Sequence, residues 1–376
     1  MEIQITNIIF GLAGTKIDDK ERAFFLKAKP LGFILFSRNI ESRDQLIGLT
    51  SSLRELFPKR KILIFVDQEG GRVARIKPPI AEKLYPEAKV FADMYLADKV
   101  KAKKAVRENY SQIMEELKAL GIDSPCAPVC DIHYKQADPI IGDRSFGDNP
   151  EQVVDLCKEA IAGINDKEGI AFVKHIPGHG RADVDSHLAL PVVSTDLKTM
   201  EETDFKVFKE LVREEAWGMS AHIIYSALDS KKPATLSNKV IDYIRDKIGF
   251  RGILVTDDIC MYALHGKIGQ QKFLLQTVIS LASQSREWKN KYQEDFKKLF
   301  AIDVSARNDQ EIIEICKKEQ DLIEPLFCKS LAKVTRESIN AGCDIVLHCS
   351  ADLREMEAVY KAIEDGYSKA VDIYGR

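Results

Sequence analysis

Long apolar runs are missing from this chain of 376 residues: none approaches the ~20 residues a bilayer-spanning helix needs, which argues against a transmembrane segment. An excess of charge of either sign is missing too. With 55 basic and 58 acidic residues the formal net charge is -3, and the pI is near 6.2. No long-range field therefore favours nucleic acid or an anionic membrane, and small neutral or anionic ligands are the expected partners. CxxC pairs and zinc-ribbon spacings are absent from the eight cysteines, which read as buried, reduced thiols of a cytosolic protein. The first seven residues are acidic and interrupted where a signal peptide would be basic and then continuously apolar, so a cytoplasmic location is expected.

Short, β-branched apolar runs are present, at 8–13, 32–36, 62–66, 122–129, 170–173, 219–224, 252–256 and 344–349. Amphipathic stretches lie between them at 43–56, 99–120, 150–164, 200–215, 238–248 and 330–341, with capping residues at Asn149 and Ser237. Continuously apolar strands alternating with helices predict a parallel sheet covered on both faces. Asp67, Asp131, Lys174, His175, His222 and Asp257 lie at or just after five different runs. An open, doubly wound sheet gathers ligand residues at one switch point, whereas a closed barrel brings all its strand ends round one mouth. The pattern thus predicts an α/β fold: a single (β/α)8 TIM-type barrel over 1–376, with a helical insertion at 266–330 before the last strand. Within the insertion, apolar residues from Leu274 to Leu299 recur at helical spacings and predict one amphipathic helix.

The densest chemistry is in Lys174-His175-Ile176-Pro177-Gly178-His179-Gly180, followed by Asp183, Asp185 and His187. Pro177 and the two glycines prevent a helix, so a strand empties into a loop rich in proton-transferring groups. Asp185 stands two residues before His187, close enough to orient the imidazole and stabilise its protonated form. Asp257 and Asp258 end another strand; alternation puts Asp257 on the face of Val255, and adjacent carboxylates there are rarely a packing choice. One is expected to be functional and the other to cap a helix or hold a neighbour. The loop from Asp67 to Arg75 lacks a P-loop ending and suits several hydroxyl groups better than a phosphate. Arg144, between a Gly turn and Phe146, reads equally well as a ligand or as half of a salt bridge. A carboxylate nucleophile at Asp257 with an Asp185–His187 acid/base pair fits a retaining glycosidase in which His replaces one of the usual carboxylates.

The motif from Lys174 to Gly180 with Asp185-Ser186-His187 resembles the signature of the glycoside hydrolase family 3 β-N-acetylglucosaminidases. Other landmarks of that family follow in order: 32–36, 67–73, 141–146, 221–225 with 233–237, and 256–261. The resemblance covers about 8–264 and 331–363 and implies a (β/α)8 barrel without the second domain many relatives carry. It also implies an exo-acting enzyme that removes terminal β-linked N-acetylglucosamine, most often from muropeptide fragments in cytoplasmic peptidoglycan recycling. On that basis Asp257 matches the nucleophile, and Asp185 and His187 the acid/base dyad. Asp67, Arg75, Arg144, Lys174 and His175 match residues that bind the sugar's hydroxyls and acetamido group, with no cofactor and no metal. This chain departs from the pattern at Ile259-Cys260, where Leu-Ser is usual, at Ile176 in place of Phe, and in the insertion.

Two other readings compete. A metal-dependent barrel hydrolase would use His175, His179, His187 and Asp257 as ligands and would be killed by chelators. A non-catalytic sugar-binding relative would keep Arg144 and Lys174 but lose a catalytic group, and Asp257, Asp185 and His187 are all present. Phosphorolysis in place of hydrolysis is a further variant, since a neutral imidazole repels phosphate less than a carboxylate does. The sequence leaves the oligomeric state open between monomer and homodimer.

Overall fold

The computed structural model describes residues 5–184, 190–282, 288–304 and 307–364. Seven parallel strands form its centre: β1 (Thr6–Phe10), β2 (Pro30–Leu35), β3 (Leu63–Val66), β4 (Phe172–Ile176), β5 (Trp217–Ser220), β6 (Leu254–Asp258) and β7 (Ile345–His348). Their order is β3-β2-β1-β7-β6-β5-β4. Side-chain alternation sorts each strand between two apolar layers. Ile9, Ile34, Phe65, Phe172, Met219, Val255 and Leu347 fill the concave interior. Ile8, Phe33, Ile64, Val173, Leu254 and Val346 face the surrounding helices. Burial on both faces is why these strands read as unbroken apolar runs.

The run at 122–129 differs from the expected strand. Pro125 and Pro128 supply no N–H and break the ladder, and Cys126 takes a left-handed backbone with φ 47°. The segment nonetheless bonds to both edges of the sheet. Asp123 N donates to Ile64 O at 2.8 Å and Val66 N to Ser124 O at 3.1 Å, while Phe172 N donates to Ala127 O at 2.8 Å and Cys130 N to Lys174 O at 2.7 Å. The result is a curled, TIM-like barrel-type sheet.

The helices at 43–55, 99–119 and 150–165 stand where the sequence predicted them. The Asn149 side chain accepts from Gln152 N at 3.0 Å and that of Ser237 from Val240 N at 3.3 Å, as capping residues should. The stretch at 200–215 is corrected to two helices, Leu197–Glu202 and Asp204–Leu211, broken where Thr203 Oγ1 bonds back to Thr199 O at 2.6 Å.

The single amphipathic helix predicted from Leu274 to Leu299 is also corrected, to Gly266–Ala282 and Trp288–Phe300. The apolar spacing runs on across the break because both helices bury a stripe against one small separate core, which includes Leu274, Val278, Phe296 and Ile312. The 33-residue helix Asp309–Ala341 then runs through position 330 without interruption and returns the chain to β7. No helix among the described residues is long and apolar enough to cross a membrane.

Candidate active site

β4 carries the site's most crowded side chains. Lys174 shares the inward parity of Phe172 and is 2% exposed. Beyond Pro177 the backbone turns at Gly178, whose φ of +137° is open to glycine and strained for other residues. At Gly180 a Cβ would lie 1.9 Å from Ile132 O, so only glycine lets the loop pack this closely. The buried Asp131 carboxylate holds the turn: it accepts from His175 Nδ1 at 2.7 Å, from His175 N at 3.2 Å and from His179 N at 2.6 Å. Burial works against ionisation of Asp131, but the donors at His175 and His179 outweigh it and keep the carboxyl below its ordinary range. Burial and the neighbouring His175 push the His179 imidazole down to about 4, so it is neutral near pH 7.

A chain of opposite charges runs beside this loop. Arg75 Nη2 donates to Asp67 Oδ2 at 2.9 Å, and Lys174 Nζ lies 3.7 Å from Asp67 Oδ1 and 2.6 Å from Glu69 Oε1. Arg144 grips Glu69 with Nε and Nη2, both at 2.8 Å, the bidentate geometry a guanidinium favours. Burial opposes the charge on Glu69, yet Arg144 and Lys174 prevail and hold its carboxyl far below the usual carboxylate range. Burial likewise lowers Arg144 and Lys174, and Glu69 more than offsets this, leaving both above their ordinary values. Three cations on two carboxylates leave one formal positive charge. Among the described residues the buried Arg75 Nε meets no hydrogen-bond partner, a donor suited to a ligand oxygen.

β6 brings in the paired aspartates, and Asp258 is the one that holds its neighbours. Asp258 Oδ1 accepts the amides of Cys260 and Cys349, each at 3.0 Å, and so ties its own turn to the end of β7. Asp257 Oδ1 accepts from Asp258 N at 2.8 Å. The Asp258 carbonyl accepts from His222 Nε2 at 3.0 Å, and His222 Nδ1 meets Thr235 Oγ1 at 2.8 Å, so His222 supports this turn from β5.

Asp67, Arg75, Arg144, Lys174, His175 and Asp257 line one cavity of about 240 Å³, with Phe36, Met219 and Leu347 as apolar walls. A few convergent polar groups on an apolar floor are the usual makeup of a small-molecule site. Six of the eight residues singled out in the sequence are thus brought together. The other two, Asp185 and His187, lie outside the described residues. Among the described residues His175, His179 and Asp257 do not converge as a metal-ligand group; the two groups that do lie elsewhere, around Glu355. His265 is an internally satisfied histidine, between Ser330 Oγ and Ile259 O, both at 2.8 Å.

Residues 3–281 match the glycosyl hydrolase family 3 N-terminal domain, about three quarters of the chain. The chain belongs to this family. It is 37% identical over 258 residues to a β-hexosaminidase of Alkalilimnicola ehrlichii, covering 68% of this chain and 73% of that protein. It is 36% identical over 259 residues to one of Thioalkalivibrio sulfidiphilus, covering 68% and 72%. Among solved structures it resembles NagZ from Neisseria gonorrhoeae in complex with N-trifluoroacetyl-D-glucosamine, with TM-score 0.72, 27% identity, and coverage of 97% of this chain and 86% of that one.

In this family 3 hydrolase two carboxylates, Glu69 and Asp131, organise the site in ways the sequence does not show. Glu69 lies in the loop from Asp67 to Arg75, but nothing local shows that Arg144, 75 positions away, would seize it. Asp131 was noted only as a strand-end residue. Its signal was position: an acid within the apolar stretch 126–132 is costly to bury unless donors surround it.

Proposed function

We propose that this glycoside hydrolase of the β-N-acetylhexosaminidase type is a retaining exo-β-N-acetylglucosaminidase. Its substrates are muropeptide fragments with a terminal β-linked N-acetylglucosamine, handled in the cytoplasm during peptidoglycan recycling. The observation that carries the proposal is that Asp257 opens into the same cavity as Asp67, Arg75, Arg144, Lys174 and His175. In the reaction Asp257 attacks the anomeric carbon while protonated His187, oriented by Asp185, protonates the leaving oxygen. Neutral His187 then takes a proton from water, which displaces Asp257 and releases the sugar with retained configuration. Asp67, Arg75, Lys174 and His175 hold the hydroxyls and acetamido group, with Arg144 set by its clamp on Glu69. Such polar contacts reject a sugar that lacks a partner group, because buried donors would be left unmade.

The bonds of 123–130 to both β3 and β4 support reading that segment as an eighth stave. The separate small core at Leu274 and Phe296 supports reading 266–330 as an insertion in a single barrel domain. Release of nitrophenol from its β-N-acetylglucosaminide, run with and without chelator and phosphate, tests the function. Turnover indifferent to chelator is expected. Chelator-abolished activity would favour the metal hydrolase, and a phosphorylated sugar product would favour phosphorolysis.

A further inference from the structure

A second set of buried charges lies outside the sugar cavity, where the helices Gly266–Ala282 and Asp309–Ala341 meet the end of β7. Lys272 is 4% exposed, Glu324 3% and Glu355 2%. The Lys272 ammonium is 2.9 Å from Glu324 Oε2, bonds to Glu355 Oε1, and sits 4.0 Å above the Phe327 ring. Glu324, Asp352 and Glu355 converge as a cation site would; the Lys272 ammonium serves Glu324 and Glu355, and Arg354 Nη2 takes Asp352 at 2.8 Å. Glu355 spends its other oxygen on the turn after the nucleophile: Oε2 accepts from Ser350 Oγ at 2.5 Å and faces Cys260 Sγ at 3.9 Å. Cys260 N and Cys349 N, the amides beside those two groups, are the pair that Asp258 Oδ1 holds, and Asp258 N in turn donates to Asp257.

A separate route reaches the same turn. His265 is buried, and burial lowers its imidazole to about 4, so the ring is neutral. Ile259 O can only accept, so Nε2 carries the proton and Nδ1 accepts from the Ser330 hydroxyl. Ile259 N donates to Leu347 O at 3.0 Å, fixing this peptide from its other side. Residues 257–260 are therefore gripped by two helices, through Lys272–Glu355 and through Ser330–His265.

We propose that these helices brace the turn that aims Asp257, and that Lys272 is the positioning residue through which they do so; this rests on the reading of Asp257 as nucleophile. Lys272 touches no sugar. Burial opposes the charge on Glu355, and His348, 3.4 Å from Oε2, and the Lys272 ammonium on Oε1 together keep it ionised; Lys272 fixes the carboxylate that meets Ser350 and Cys260. A carboxylate displaced by a fraction of an ångström from its line of attack loses rate while binding is untouched.

The test is steady-state kinetics on the nitrophenyl β-N-acetylglucosaminide, with folding followed by circular dichroism. Lys272→Met should lower kcat roughly ten- to a hundredfold with KM within about twofold, and Lys272→Arg, which keeps the charge, should recover most of the rate. If Lys272→Met does not fold, Ser330→Ala removes one hydroxyl from the other route and should lower kcat about threefold or more at unchanged KM. A folded Lys272→Met, or failing that Ser330→Ala, with wild-type kcat overturns the brace, since a role in stability alone would lower the melting temperature and leave kcat in place. Asp257→Ala separates the two claims. If it turns over, the nucleophile reading falls; if it is dead while Lys272→Met is fully active, only the brace falls.

Discussion

Replacing Glu69 with Gln removes one negative charge from a place where two cations depend on it. Arg144 makes two bonds to this carboxylate at 2.8 Å, and Lys174 a third contact at 2.6 Å. Side-chain exposure is 5% for Glu69, 11% for Arg144 and 2% for Lys174, so water cannot take over. A glutamine keeps one acceptor, but its amide NH2 must face donors that have no lone pair to offer. Breaking a buried ion pair from one side costs about 3–5 kcal/mol, and that is the loss expected in urea unfolding at pH 7. The pH dependence follows from the depressed pKa. Glu69 contributes stability above its unfolded value of about 4.3, and that contribution is lost as pH falls below it toward the folded value. The gap between wild type and Glu69→Gln should therefore narrow progressively below about pH 4. Activity should fall with stability, because Lys174 and Arg144 lose their anchor. A Glu69→Gln protein within about 1 kcal/mol of wild type at pH 7 would refute this account of the clamp.

Asp257→Ala should reduce nitrophenol release by about 10⁴-fold or more while leaving circular dichroism unchanged, and substantial residual turnover would count against a nucleophilic role. His187→Gly should abolish activity on natural substrates while sparing nitrophenyl glycosides in part, because nitrophenolate leaves without a proton; intact natural activity would remove His187 from the acid/base role. Asp131→Asn should lower kcat/KM about tenfold or more, since His175 loses the carboxylate that fixes its ring, and an unchanged value would show that the loop holds His175 unaided.

The barrel strands were legible because their two-faced burial leaves unbroken apolar runs, as at Ile34 and Phe33, which face opposite layers. Apolar composition hid the irregular segment after Ser124, where Pro125 and Pro128 break the ladder. Helices Gly266–Ala282 and Trp288–Phe300 read as one in the sequence, because Leu274 and Phe296 serve a common core that a linear pattern cannot distinguish from one helix face. Strand parity put Asp257 on the face of Val255, which fills the concave interior. It could not show Glu69 between Arg144 and Lys174, or Lys272 between Glu324 and Glu355, since those pairings join residues 52 to 105 positions apart and depend on closure of the fold.

In the proposed mechanism Asp257 forms the covalent bond to the sugar. An N-acetylglucosaminide slowed by fluorine on the ring, with a good leaving group, should accumulate the glycosyl-enzyme, and peptide mass spectrometry should place the added sugar on Asp257. A stable adduct on any other residue, or normal turnover of that compound by Asp257→Ala, would contradict it.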